Sequence, residues 1–310
     1  MVLEPHSASY VTQRHAAGGP HIADLTPTHI REREAALRPE YGCGPAMHRV
    51  IDATAYHGGL QVPVRLLIPD DESDGLLVYL HGGGWVSGQL DEFDTLARNL
   101  AAGTHMTVAL VDYRLAPEHP YPAAVHDCWA AIRWLSTEFP GTPLTVMGDS
   151  AGGNLAAVIS QRATRAGTPS IKLQVLIYPV TDHDTTRESY LDPDNQLLLD
   201  CVGMEWFWDH YLPNRAARSE PDASPLRAPR FDGLPRTIVV VAEHDVLREE
   251  GEQYASALRN AGVPVELECF DGQMHGFFTM TNILPGSAAG QQYVIERTRN
   301  AIRQLREAPQ

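Results

Sequence analysis

Gly148-Asp149-Ser150-Ala151-Gly152 sets a serine among glycines where the local pattern changes abruptly. Upstream, Pro143 to Met147 is a short apolar run with strand character; downstream, Asn154 to Arg165 is alanine-rich, with apolar residues at helical spacing. A strand, a sharp turn and a helix would hold the Ser150 hydroxyl clear of its neighbours at a helix N-terminus. The glycines are needed where side chains would clash. This is the setting of a nucleophilic serine, which requires a base, a carboxylate to orient that base, and donors for a developing oxyanion.

Each requirement has a candidate just beyond a predicted strand. Val265 to Phe270 runs into Asp271-Gly-Gln-Met-His275-Gly-Phe277, a glycine-bounded turn that makes His275 the base. Thr237 to Val241 leads into Ala242-Glu-His-Asp245, so Asp245 is the expected orienting acid, with Glu243, Glu249 and Asp271 as nearby alternatives. Leu76 to Leu80 is followed by His81-Gly-Gly-Gly-Trp85, where consecutive glycines let backbone N–H groups turn inward. Gly83, Gly84 and Ala151 are the expected oxyanion donors, and His81 the brace of the glycine loop. The chain order Ser150, Asp245, His275 is that of α/β-hydrolases and differs from the two other serine-protease scaffolds.

The elements that must position these residues follow an α/β rhythm. Arg49 to Tyr56 and Gln61 to Ile68, separated by Gly58-Gly59, are predicted as an antiparallel pair at a sheet edge. Near-continuous apolar runs at Leu76–Leu80, Thr107–Val111, Leu144–Met147, Leu173–Tyr178, Thr237–Val241 and Val265–Phe270 suggest strands covered on both faces. Helical patterns near Phe93–Ala102, Ala123–Ser136, Asn154–Ala166, Leu247–Ala261 and Gln291–Arg306 alternate with them. The expected architecture is a mostly parallel sheet of eight strands flanked by helices.

About sixty residues separate the Leu173 and Thr237 strands, against the roughly 2 to 6 usual for such links. This stretch holds Trp206, Phe207, Trp208 and Tyr211, and reads as an inserted cap that joins the N-terminal segment over the sheet's C-terminal edge. The expected organisation is an N-terminal cap segment at 1–45, core at 46–182, inserted cap at 183–235 and core again at 236–310. Trp85, Trp206, Phe207 and Tyr211 are the expected apolar walls of a substrate pocket.

Composition narrows the partners. Lys and Arg total 24 against 39 Asp and Glu, a net charge of −15, which repels nucleic-acid phosphates and anionic lipid surfaces. Cys43, Cys128, Cys201 and Cys269 are scattered without a paired motif, and the N-terminus lacks a secretory apolar core, so a reduced, cytoplasmic location is expected. No apolar run reaches the roughly 18 residues of a membrane span. Asp182-His183-Asp184 reads as a polar loop entering the cap, and no metal site is expected.

The chain resembles the hormone-sensitive-lipase-like (bacterial family IV) carboxylesterases of the α/β-hydrolase superfamily. The resemblance rests on His81-Gly-Gly-Gly-Trp85, Asp112-Tyr-Arg-Leu-Ala-Pro-Glu118, Pro120-Tyr-Pro-Ala-Ala124, Gly148 to Asn154, Tyr178-Pro179, Asp245 to Gly251, and Met274-His-Gly-Phe277. It departs at Glu243-His244, where the family usually has a glycine nearby, and at Val246, which replaces a common proline. The resemblance implies a cofactor-free hydrolase with the triad Ser150, Asp245 and His275, a two-part helical cap, preference for short to medium acyl esters, and a homodimer. The expected activity is carboxylic ester hydrolysis through an acyl-enzyme. The same machinery could instead cleave an amide, lactone or carbamate, or transfer the acyl group. A receptor without turnover would be expected to lack the base, and His275 is present.

Overall fold

The structure, a computed structural model, describes residues 2–307. The chain opens with helices α1 (Pro5–Ala16), α2 (Pro27–Ala35) and α3 (Arg38–Tyr41). The strands are β1 (Arg49–His57), β2 (Leu60–Ile68), β3 (Leu76–Leu80), β4 (Thr107–Val111), β5 (Leu144–Asp149), β6 (Ile171–Ile177), β7 (Arg236–His244) and β8 (Val265–Met274). Between the strands run α4 (Leu90–Thr104), α5 (Ala123–Glu138) and α6 (Ala151–Ala166). The link from β6 to β7 carries α7 (Glu188–Leu191) and α8 (Cys201–Tyr211), with no strand, while α9 (Arg248–Asn260) and α10 (Pro285–Glu307) follow β7 and β8.

All eight strands form one sheet, in the order β1-β2-β4-β3-β5-β6-β7-β8. The β1–β2 and β2–β4 pairs are antiparallel and the other pairs parallel. Strand periodicity explains the apolar runs. Leu76, Val78 and Leu80 of β3 join one buried cluster with residues of α5, α6 and α9. Leu77 and Tyr79 point the other way, into a cluster with residues of α4 and α10. A strand that must satisfy two cores has no polar face, and each fully buried Leu or Val side chain contributes about 1.5 to 3 kcal/mol. The central strands therefore make a stiff platform, and their C-terminal ends all open on one edge.

Two expectations about strand ends are corrected. Strand β8 does not stop at Phe270 but continues to Met274, so His275 follows it directly rather than sitting inside a long turn. Gly272, at φ +66°, kinks the strand and donates its N–H to Glu243 Oε2 at 2.6 Å, and the register with β7 shifts between Ala242 and His244. Strand β5 likewise runs through Asp149, so the turn at Ser150 has no slack. Among the described residues, no helix is long and apolar enough to cross a membrane.

Candidate active site

Ser150 joins β5 to α6 with φ +53° and ψ −120°, a conformation that L-residues avoid. Its surroundings hold it there: its N–H donates to Ile177 C=O at 2.8 Å, and its own C=O accepts from Asn154 N–H at 3.0 Å and Val180 N–H at 3.2 Å. The flanking glycines permit close approach. A Cβ on Gly152 would lie 2.0 Å from the carbonyl oxygen of Leu80, at the end of β3, and that backbone cannot retreat. Gly152→Ala is therefore expected to cost more than about 3 kcal/mol of stability. A urea midpoint close to that of the parent protein would contradict this packing.

The residues expected to act with Ser150 converge on it. His275 Nε2 lies 3.0 Å from Ser150 Oγ, and His275 Nδ1 lies 2.7 Å from Asp245 Oδ2. Asp245 is buried, and its other oxygen, Oδ1, accepts the Leu247 N–H at 2.9 Å. The histidine tautomer that suits both contacts carries its proton on Nδ1 and accepts from the serine hydroxyl at Nε2. The alternative acids are occupied elsewhere: Glu243 accepts from Gly272 N–H, Glu249 faces Gln253, and Asp271 is exposed.

The glycine loop after β3 stands beside the serine. Gly83 and Gly84 have φ of +106° and +58°. The Gly83 carbonyl is drawn away from the site by Val86 N–H, Ser87 N–H and the Ser87 hydroxyl. Gly82 N–H donates to Asp149 Oδ1 at 2.9 Å. Among the described residues, the Gly83 and Gly84 N–H groups meet no protein acceptor, and Ala151, as the first residue of α6, has a free N–H at the positive end of the helix. His81 braces the loop: it stacks 4.2 Å from Tyr113 and 5.1 Å from Phe93, with Nδ1 2.7 Å from the Gly82 carbonyl. Burial pushes its imidazole down to about 4, so it stays neutral. Arg31 of α2 reaches the same region, bonding the Val86 and Ala116 carbonyls and pairing bidentately with Glu118.

Asp149 is buried beneath this loop and also accepts the Tyr79 hydroxyl at 2.7 Å. Burial raises its carboxyl from 3.8 to about 6, outweighing those hydrogen bonds and the nearby His275. The folded state thus keeps a proton that the unfolded chain loses from about pH 4 upward. The stability contributed by this group therefore falls as pH rises from about 4 to 6, by roughly 3 kcal/mol, and is level above that. Asp149→Asn keeps an acceptor oxygen without the titration. Its unfolding free energy relative to the parent should rise across that window, as urea curves at pH 4, 5, 6 and 7 would reveal; a constant difference would contradict the assignment.

A cavity of about 790 Å³ opens above Ser150 and His275. One wall comes from the N-terminal segment through Ile22, Leu25 and Leu37, and another from the inserted segment through Leu197, Leu198, Leu199, Met204 and Phe207. The Phe207 ring lies against Gly84, where a Cβ would be 2.0 Å from a ring carbon. Of the four aromatic residues expected as walls, Phe207 alone lines the cavity, and the other three are corrected. Trp85 is fully buried, stacked 4.2 Å from Tyr211 at an interplanar angle of 7°. Tyr211 is one turn beyond Phe207 on α8, which carries it past the cavity into this core. Trp206 is about 100° round the helix from Phe207 and packs 3.9 Å from His210 instead. The run Leu197-Leu-Leu199, in an otherwise polar stretch, was the available sign of the missed wall. Asp182 and His183 are engaged in protein contacts, with Arg187 and Arg227 and with Ser219 respectively.

Comparisons with known proteins point to one family. Residues 77–279 match the sequence profile of a family described by the alpha/beta hydrolase fold. Carboxylesterase NlhH of Mycobacterium tuberculosis is 39% identical over 251 residues, covering 77% of this chain and 79% of that protein. The ethyl acetate hydrolase of Pseudomonas putida is 38% identical over 248 residues, covering 77% and 78%. The solved structure of ester-hydrolase EH1AB1, from the metagenome of Lake Arreo and complexed with a derivative of bipyridine phosphonate, aligns with a TM-score of 0.89. It is 32% identical and covers 98% of this chain and 99% of that one. With the profile spanning more than half of its length and these relatives matching along most of theirs, the chain belongs to the α/β-hydrolase family, in its hormone-sensitive-lipase-like branch.

Proposed function

We propose that the protein is a carboxylic ester hydrolase for short to medium acyl esters, with Ser150, His275 and Asp245 as its triad. The observation that carries this reading is the continuous chain Ser150 Oγ, His275, Asp245 beside three free N–H groups, at 3.0 and 2.7 Å. Ser150 Oγ attacks the ester carbonyl carbon while its proton passes to His275 Nε2, and Asp245 stabilises the resulting imidazolium. The carbonyl oxygen, now anionic, accepts from Gly83, Gly84 and Ala151 N–H. As the tetrahedral intermediate collapses, the C–O bond breaks and His275 protonates the departing alcohol, leaving an ester on Ser150. Water, deprotonated by His275, repeats the attack and frees the acid.

Residues 1–45 and 183–235 act together as the cap in this reading, and their Ile22, Leu25, leucine run and Phe207 give the acyl or alcohol chain an apolar bed. A cytoplasmic site of action is supported by four cysteines that are all free thiols. The test is parallel turnover of 4-nitrophenyl butyrate and butyryl 4-nitroanilide by the purified protein. The ester is expected to turn over and the anilide to be a very poor substrate. Equal or faster anilide cleavage would transfer the assignment to an amidase.

A further inference from the structure

The inserted segment leaves the core at Val180 to Asp182 and returns at Ala223 to Arg227. The two sides of this root are tied to each other: Leu226 N–H donates to the Thr181 carbonyl at 2.9 Å, and Asp182 pairs with Arg227 at 2.5 Å and with Arg187 at 2.6 Å. The root is then bonded to two core helices. Toward α6, the Asn154 amide donates to the Val180 and Ala223 carbonyls at 3.0 and 2.8 Å, and Gln161 to the Pro225 carbonyl at 2.9 Å. Toward α9, Glu250 Oε1 accepts Thr181 N–H at 2.6 Å and Asp182 N–H at 3.3 Å, and its main-chain carbonyl accepts the Thr181 hydroxyl at 2.8 Å. Helix α6 begins at the nucleophile, and α9 begins three residues after Asp245. The root is thus a crosspiece between the helix that presents Ser150 and the helix that follows the acid.

We infer that Glu250 is a positioning residue that couples the seating of the cap to the geometry of Asp245, and through it to His275. Glu250 is fully buried and does not line the cavity, so it does not act by touching substrate. A buried carboxyl is costly unless its oxygens are bonded, and the partners of this one belong to the cap and its root. Besides Thr181 and Asp182, the Tyr190 hydroxyl of α7 lies 3.2 Å from Oε2. The next residue back, Ser189, donates its hydroxyl to the Val246 carbonyl at 2.6 Å, directly beside Asp245. One short helix of the cap therefore grips the acid loop at Val246 and the first turn of α9 at Glu250, which is the physical route from the seating of α7 to Asp245. Burial pushes the Glu250 carboxyl up to about 8, with Arg187 and Asp182 as the charged groups facing it. Its Oε1 thus takes the two backbone N–H groups, while its Oε2 accepts the Tyr190 hydroxyl. Glutamine keeps an oxygen for the two N–H groups, and its NH₂ donates to the Tyr190 oxygen once that freely rotating hydroxyl turns away.

The inference rests on the serine-hydrolase reading, and one set of measurements separates the two. Full-length parent protein, Glu250→Ala, Glu250→Gln and Ser189→Ala are compared for kcat and KM on 4-nitrophenyl acetate at pH 7, with melting temperatures alongside. Glu250→Ala is expected to lower kcat about 10-fold with KM within about twofold, Glu250→Gln to stay within about twofold of the parent, and Ser189→Ala to lose about threefold in kcat. Should Glu250→Ala fail to fold, Ser189→Ala carries the decision. A lowered melting temperature with unchanged kcat, or equal losses in Glu250→Ala and Glu250→Gln, would overturn the coupling. An inactive parent that takes no fluorophosphonate label would instead overturn the reading beneath it.

Discussion

Ser150→Ala is expected to lower kcat on 4-nitrophenyl acetate by about 10⁴ to 10⁶-fold and to abolish fluorophosphonate labelling. The reason is local. Oγ is the atom 3.0 Å from His275 Nε2, and the next groups along the chain, Asp149 and Ala151, supply no nucleophile in its place. Asp149 is committed to Tyr79 and Gly82. What remains in the variant is the free N–H groups of Gly83, Gly84 and Ala151, which can still polarise a bound carbonyl and leave a small rate above water. The fold should be unaffected, because alanine removes no hydrogen bond made by the Ser150 backbone. The check is steady-state turnover and gel-based labelling, with circular dichroism as the control for folding. Turnover within about 100-fold of the parent, from a sample free of other esterases, would remove Ser150 from the mechanism.

Asp245→Asn is expected to cost about 10⁴-fold in kcat, and the structure says why so small a change acts so strongly. Oδ1 accepts the Leu247 N–H at 2.9 Å, and Oδ2 takes the His275 Nδ1 at 2.7 Å. An asparagine must keep its oxygen toward Leu247, since two N–H groups cannot face each other. Its NH₂ is then forced onto Nδ1, which has to become an acceptor. The proton moves to Nε2, and that nitrogen can no longer take the proton of Ser150. The side chain loses one charge and reverses one hydrogen bond, while the fold is retained. Kinetics across pH 6 to 9 would check this. A loss below about 10-fold would mean that another carboxylate orients His275.

The core was legible because its physics is periodic. Strands such as β3 and β4 must be apolar on both faces, so each announces itself as a short Val, Leu and Ile run, and the proposed triad residues lie three to five residues past such runs. The choice of Asp245 over Glu243, Glu249 and Asp271 was less legible. All three alternatives lie near Asp245 or His275 in sequence, and rotamers and partners decide; Glu243, for example, is spent on Gly272 N–H. The end of β8 was hidden because Gly272 looks like a turn residue, while in the fold its positive φ admits a kink within a strand. Helix α1 was not singled out, and only Ser7 and Val11 are buried along it, too thin a stripe to register as a pattern.

The cap was the least legible part. Composition announces aromatic residues but not which side of α8 meets the cavity, because that depends on how the segment docks. Trp85 and Tyr211 stack on each other in the core, whereas leucines from an irregular stretch reach the cavity. Core packing repeats with the period of the element. Pocket walls are set by tertiary placement, which a one-dimensional pattern does not encode.

The backbone angle of Ser150 has a consequence for descent. A serine at φ +53° is held about 1 to 2 kcal/mol above a relaxed conformation, and glycine could occupy the same turn without that strain. Natural selection for stability alone would therefore replace the residue proposed as the nucleophile. Under the proposed mechanism turnover is what retains the serine against the preference of the fold, and a chain released from that demand would gain stability by losing it.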